Sequence, residues 1–354
     1  MQRIITWDLG ATKCTAGLVE HDVATDHLHC KNKYTIKLAE TSSLENLVQQ
    51  LEAHLNFSFA DADAICIGAA GHFDGKSLLH TNPYPYPMHF AKLADKQRWP
   101  DYAVIHDYAS IICATFTSYM NQAQNIKRLN LCPMKLHGRR VAFGIGTGLG
   151  LKDGVQLPNG DFWFGENEMG HIGIPTPPMT EQDYAKRHQE IMLFLAKKFS
   201  AEDHQAITFE RILTGKGMVN LHQFFYPNSP LSTPEEVGKN IQAGNAHELV
   251  NTFAWYAGLF VGTVQLSFMP EGGIWMTGGV ALNHLEIFDQ ADFSAGIYAS
   301  PAYLMQRQEY PLGILCNPEH ALIGNAHYAI KRLLNTKLQA KVRKLRSANK
   351  LIKI

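Results

Sequence analysis

Residues 4–19 read Ile4-Ile5-Thr6-Trp7-Asp8-Leu9-Gly10-Ala11-Thr12-Lys13-Cys14-Thr15-Ala16-Gly17-Leu18-Val19. An apolar run, a glycine-bearing turn and a second apolar run make the signature of a β-hairpin. The same design returns at Val141-Ala142-Phe143, followed by Gly144-Ile145-Gly146-Thr147-Gly148-Leu149-Gly150 and a further extended stretch from Leu151 to Val155. A third apolar run, Gly273-Ile274-Trp275-Met276-Thr277, ends in the pair Gly278-Gly279. Helical periodicity occupies 43–56, 107–125, 181–200, 208–225 and 246–269, and a last helical stretch starts near 319. Strands in hairpins alternating with helices predict an α/β class, and the repeated hairpin predicts two domains of similar design.

The tips of the two hairpins combine Gly with Thr. A turn without Cβ atoms lets backbone N–H groups converge on one point, a concavity that suits phosphate oxygens, and a Thr hydroxyl adds a donor. Asp8 closes the strand beside the first tip, where a carboxylate can hold Mg²⁺ through water. A tight hairpin needs Gly for its own geometry, but two matched loops and a strand ending in Gly-Gly favour a nucleotide. Other phosphate loops fit poorly. Gly75-Lys76-Ser77 ends like a Walker A, but Ala70 stands where that motif needs glycine, and Gly144–Gly150 does not fit G-x-G-x-x-G.

The chain has 354 residues, 45% hydrophobic and 18% charged, which suits two cores and excludes disordered and collagen-like classes. Its formal charge of zero conceals an asymmetry. Residues 331–354 hold nine Lys or Arg and no Asp or Glu, so the 330 residues before them carry −9. Six cysteines form neither a CxxC nor a Cys/His cluster, which predicts reduced, mostly buried thiols. The N-terminus MQRIITWDLG offers no signal-peptide stretch. Residues 253–269 are apolar and contain Gly258-x-x-x-Gly262, a pattern of membrane helices, but they include Gln265 and precede Pro270. They are read as a buried helix, and the protein as cytoplasmic.

Taken together, DLGATK (8–13), IHDY (105–108), GIGTGLG (144–150), EMGH (168–171), ERILTGKGMVNL (210–221) and TGGVALN (277–283) resemble, in order, the bacterial glucokinase family, related to the ROK sugar kinases. The resemblance runs from about residue 3 to 330. It implies the two-domain, ribonuclease H-like fold of the actin-like ATPases, with a cleft between domains for sugar and ATP. The small domain would comprise 1–106 and about 318–335, the large one 107–317, and 336–354 would form a basic extension. It further implies that Asp8, Gly10, Ala11, Thr12, Lys13, Gly146, Thr147 and Gly148 serve the phosphates and Mg²⁺ of ATP, and that Gly278 and Gly279 contact adenosine.

Phosphoryl transfer to an alcohol needs a carboxylate near the γ-phosphate to take the hydroxyl proton. Asp107 lies between a strand-like run and a helix, a place equally suited to a helix cap; the resemblance makes it the general base. It also assigns Glu168, His171, Glu210 and Asn82, together with Asp107, to the sugar. The family has Asn where this chain has His106, so either a ring nitrogen of His106 contacts the sugar or the hexose preference has shifted. Met169 replaces a glycine and leans toward the ROK kinases, whose cysteine-rich zinc motif is missing, and Ala11 replaces the second glycine of the first loop, which requires a negative φ there.

The expected activity is ATP- and Mg²⁺-dependent conversion of glucose to glucose 6-phosphate, in an enzyme of glycolysis. The alternatives are a kinase for another hexose or an N-acetylated amino sugar, and a non-catalytic sugar-sensing regulator on the same fold. Only seven residues precede Asp8, so the DNA-binding helix-turn-helix of related repressors is not expected. A homodimer is in keeping with the family. Leu333, Leu334, Leu338, Val342, Leu345 and Leu351 give the basic extension near-helical apolar spacing. Its expected partners, in order, are the small domain, a membrane surface and nucleic acid.

Overall fold

A computed structural model of the chain describes residues 1–79, 84–177, 182–199 and 206–334. Asn82 and the basic extension 336–354 therefore lie outside the described residues. The chain divides into two compact units. Among the described residues, the first comprises those within Met1–Asn125 and Gly154–Phe164 and those from Asn317 to Leu334; the second comprises those within Ile126–Asp153 and Gly165–Cys316.

The first unit is built on a five-stranded sheet of β1 (Gln2–Leu9), β2 (Lys13–Asp22), β3 (His27–Lys37), β4 (Ala64–Ala69) and β5 (Tyr102–His106), in the order β3-β2-β1-β4-β5. The first three strands are antiparallel, as the Gly10–Lys13 hairpin demands, and β4 and β5 add in parallel to β1. Trp7 is fully buried at the centre of this unit's core. Its ring meets Phe59, Phe90 and Trp99 edge-on at 5.7 to 6.1 Å, the arrangement aromatic quadrupoles prefer. Helix Leu44–Leu55 covers this core with Leu44, Leu47, Val48, Leu51 and Leu55, and Ser43 caps it by accepting the Asn46 N–H. A buried amide ties the sheet to two helices. Asn325 accepts from the Ser110 hydroxyl at 2.6 Å and donates to the Trp7 carbonyl at 2.7 Å.

The second sheet contains β6 (Ile126–Arg128), β7 (Arg140–Ile145), β8 (Leu149–Gln156), β9 (Phe162–Phe164), β10 (Gly273–Thr277) and β11 (Leu312–Leu315), in the order β9-β8-β7-β10-β11-β6. Its first five positions repeat the order of the first sheet: a hairpin with one further strand on one side and parallel strands on the other. The repeated hairpin in the sequence is thus a repeated sheet.

The apolar stretch with the Gly258-x-x-x-Gly262 pattern lies in helix His247–Phe268, within the second unit's core. A Cβ on Gly258 would fall 2.0 Å from the Phe293 carbonyl, and one on Gly296 would fall 2.1 Å from that of Trp255. These glycines let this helix and Ala291–Tyr298 cross almost backbone to backbone. Gln265 is buried there as the acceptor for Arg307 Nε at 3.1 Å.

Several local expectations are corrected. Helix 107–125 ends at Ala114, because Thr115 and Thr117 turn their hydroxyls onto the carbonyls of Ile112 (2.6 Å) and Ala114 (2.7 Å), and short 3₁₀ turns follow. The stretch 208–225 opens as a 3₁₀ turn at Phe209–Arg211, and the α-helix begins at Gly215, capped by Thr214. Helices Phe90–Gln97, Pro234–Gln242 and Ala291–Tyr298 were not expected. The second of them carries a complete capping box of Thr233 and Glu236, with Pro234 at its first turn. All six cysteines are free, but only Cys14, Cys66 and Cys113 are buried. Gly75-Lys76-Ser77 is a turn between His72–Phe73 and Leu78–Leu79, pinned by Asp74, which accepts the N–H groups of Lys76 and Ser77.

Candidate functional site

In the first unit, parallel pairing places Asp8 of β1 opposite Gly68 of β4, and Gly68 opposite Ile105 of β5. The carboxyl ends of three adjacent strands therefore lie together, and Asp107 follows β5 directly as the first residue of helix Asp107–Ala114. Two carboxylates end up on one edge. Burial, and then the negative charge of Asp107, push the Asp8 carboxyl up to about 6, against a smaller opposing pull from Lys13. The Asp107 side chain is about one quarter exposed, and its Oδ1 accepts the Tyr108 N–H at 2.9 Å and lies 2.8 Å from His106 Nδ1.

The loop between β1 and β2 is closed by the Gly10 N–H donating to the Lys13 carbonyl at 3.0 Å and by the Leu38 N–H donating to the Thr12 carbonyl at 2.9 Å. Thr12 and Lys13 are exposed. Ala11 is not among the positive-φ residues, so its methyl is accommodated in the turn. The sequence reading missed Tyr84 here. Its hydroxyl donates to the Ala70 carbonyl at 2.6 Å, just beyond the end of β4, and its phenol is pushed up by burial and by the charges of Asp107 and Asp8. The sequence signal was the alternation Pro83-Tyr84-Pro85-Tyr86-Pro87, since each proline restricts its own φ.

In the second unit, Gly146, Thr147 and Gly148 form the tip between β7 and β8, with the Gly146 N–H donating to the Gly148 carbonyl at 3.1 Å. Parallel pairing sets Thr277 opposite Gly144, which brings Gly278 and Gly279 up to the same tip. Gly278 has φ +99°, and a Cβ there would fall 2.5 Å from the Ile145 carbonyl oxygen. Only glycine satisfies both the backbone conformation and the approach. The Gly146 carbonyl accepts the N–H of Gly215, the first residue of helix Gly215–Phe225.

Glu210 sits on the preceding 3₁₀ turn and accepts the Leu149 N–H at 2.9 Å, so this carboxylate braces the glycine tip. The segment holding Glu168 and His171 runs beside it. Gly173 bridges Thr208, and the Phe209 N–H donates to the Ile172 carbonyl. Glu168 and His171 are exposed, whereas Met169 between them packs on the core. Among the described residues no group of three or more His, Cys, Asp or Glu side chains is arranged to hold a metal.

Two α/β sheets of one strand order, each with a Gly/Thr hairpin tip, and a strand-end carboxylate pair define the class: a kinase on the two-domain actin-like ATPase fold. The chain belongs to the glucokinase family, whose model, described as Glucokinase, matches residues 5–332. A curated relative, Glucokinase of Agrobacterium fabrum, is 26% identical over 339 residues, covering 92% of this chain and 91% of its own. Among solved structures, glucokinase from an Antarctic psychrotroph superposes with a TM-score of 0.76 at 16% identity, covering 92% of this chain and 98% of its own. A ROK family glucokinase from Streptomyces griseus, in complex with glucose and AMPPNP, gives 0.52 at 18% identity, with the same two coverages.

Proposed function

We propose that this chain transfers the γ-phosphoryl group of ATP to the 6-hydroxyl of glucose. The observation that carries the reading is the position of Asp107, at the strand edge that also bears Asp8 and the Gly10–Lys13 loop, in a chain of the glucokinase family. Asp107 takes the hydroxyl proton as the sugar oxygen attacks phosphorus and ADP leaves with the bond it breaks. Gly10, Ala11, Thr12 and Lys13, and Gly146, Thr147 and Gly148, offer backbone and hydroxyl donors to phosphate oxygens. Gly278 and Gly279 leave room for the adenosine.

Asn82, Glu168, His171 and Glu210 are assigned to the sugar, whose hydroxyls donate and accept at once. A glucokinase of Streptomyces griseus has been solved with glucose and AMPPNP, which supports both substrates. Mg²⁺ fits the donor set. Asp8 is a carboxylate made basic by burial and by a neighbouring negative charge, both of which a cation relieves, and a carboxylate oxygen is the donor type this ion prefers. When bound, Mg²⁺ would neutralise charge on the phosphates. The reaction belongs to glycolysis in the cytoplasm, and a homodimer follows the family resemblance.

A coupled assay with glucose and ATP tests the proposal. Asp107→Ala loses phosphoryl transfer by orders of magnitude while staying folded and binding nucleotide; retained turnover removes Asp107 from the mechanism. A panel of hexoses and N-acetylated amino sugars fixes the acceptor, and glucose is expected to show the highest kcat/KM.

A further inference from the structure

The family resemblance places an Asn immediately before the general base, and here that residue is His106. His106 ends β5 with extended backbone (φ −61°, ψ 141°), and Asp107 opens the helix. The change of direction at this junction lets two consecutive side chains meet, with His106 Nδ1 2.8 Å from Asp107 Oδ1. A nitrogen lone pair and a carboxylate oxygen do not approach so closely without a hydrogen between them. The Tyr108 N–H lies 3.3 Å from Nδ1 and 2.9 Å from Oδ1. An Nδ1 that carries hydrogen cannot accept that N–H, so the Tyr108 amide belongs to the carboxylate. Oδ1 is then held from two sides, by a backbone donor and by the ring.

We propose that His106 is a positioning residue for Asp107: its Nδ1–H fixes Oδ1, so that Oδ2 is the oxygen presented to the acceptor hydroxyl. The inference rests on the reading of Asp107 as general base. A carboxylate tied at one oxygen by a hydrogen bond of this kind keeps one rotamer, and alignment of a base with its proton is worth on the order of a hundredfold in rate. The side-chain amide of Asn places its nitrogen where Nδ1 of histidine lies, whereas that of Gln matches Nε2. Of the two amides, only Asn can therefore take over the role.

The test compares His106→Ala, His106→Asn and His106→Gln in steady-state kinetics, beside NMR of the wild-type imidazoles with the His106 signal assigned by its loss in His106→Asn. Alanine is expected to lower kcat by roughly ten- to a hundredfold while the sugar KM changes less than about twofold. Asn restores kcat to within about threefold, and Gln behaves like Ala. In the wild type the neutral His106 ring is expected to carry its hydrogen on Nδ1, and Asp107→Ala to release it to the Nε2–H tautomer. A sugar KM raised about tenfold with kcat intact makes His106 a sugar contact and overturns the proposal. Rescue by Gln as good as by Asn overturns it too, as does an Nε2–H tautomer in the wild type. Absence of phosphoryl transfer from the wild-type chain overturns the assignment of Asp107 on which the proposal rests. The tautomer reads the His106 contact independently of activity, so the two failures are distinct.

Discussion

Replacing Asp8 with Asn is expected to stabilise the protein while disabling it. Asp8 has its ordinary carboxyl value of 3.8 raised to about 6, by burial first and by Asp107 second. Above both values the folded state carries an ionised group that is more costly there than in the unfolded chain. The difference amounts to about 3 kcal/mol against the native state at neutral pH. Between 3.8 and about 6 the folded chain keeps a proton that the unfolded chain has released, so the penalty grows as pH rises through that window and vanishes below it. Asn resembles the protonated acid in shape and carries no charge.

Urea unfolding of wild type and Asp8→Asn at a series of pH values should therefore show the variant more stable by about 3 kcal/mol at pH 7, with the advantage closing toward pH 4. Turnover with ATP and Mg²⁺ should be lost by orders of magnitude. A variant no more stable than wild type at pH 7, or one whose advantage is the same at low pH, would refute the electrostatic account of this edge.

Gly278→Ala forces a methyl 2.5 Å from the Ile145 carbonyl oxygen at a φ of +99°, and should cost about 2 kcal/mol or more by thermal or urea unfolding and raise the KM for ATP. An unchanged midpoint and KM would mean that the turn relaxes freely. Glu210→Ala removes the acceptor of the Leu149 N–H, a loss of about 1–3 kcal/mol, and should raise KM for both sugar and ATP, since this carboxylate braces the glycine tip; an effect on the sugar alone would separate the two roles.

The fold was legible where chain geometry is local. Both glycine hairpins, and the strand running into Gly278-Gly279, stand where apolar runs and turn residues put them. The two strand orders were not legible, because which parallel strand lies beside β1 depends on packing by distant helices such as His320–Ala329. The over-long helix at 107–125 shows a second limit. Periodicity carries through Thr115 and Thr117, and only the hydroxyl bonds of those residues to the preceding carbonyls reveal the stop. At the site, residue types suggested the glycine tips and Asp8, and the family resemblance the other carboxylates, but neither showed that Asp8 would be made basic by burial and, second, by Asp107, which follows from packing and strand register. Tyr84 escaped because a tyrosine that supports a strand end looks like any core aromatic. The bracing of the Gly146–Gly148 tip by Glu210 joins residues too far apart in sequence for spacing to show.

The layout of the units along the chain sets an order in time. The first unit needs Asn325, whose amide closes on the Trp7 carbonyl and the Ser110 hydroxyl, so its N-terminal strands emerge from the ribosome hundreds of residues before their last buried partner. At synthesis rates of about 5–20 residues per second, that leaves tens of seconds in which the Trp7 carbonyl lacks its Asn325 partner, although the rings that surround the Trp7 side chain are already made. The second unit, whose segments end at Cys316, has its full complement of residues first, although it begins later. The half of the protein bearing Asp8 and Asp107 is thus the last to be completed, and a nascent chain acquires this carboxylate edge in finished form only once helix His320–Ala329 is made.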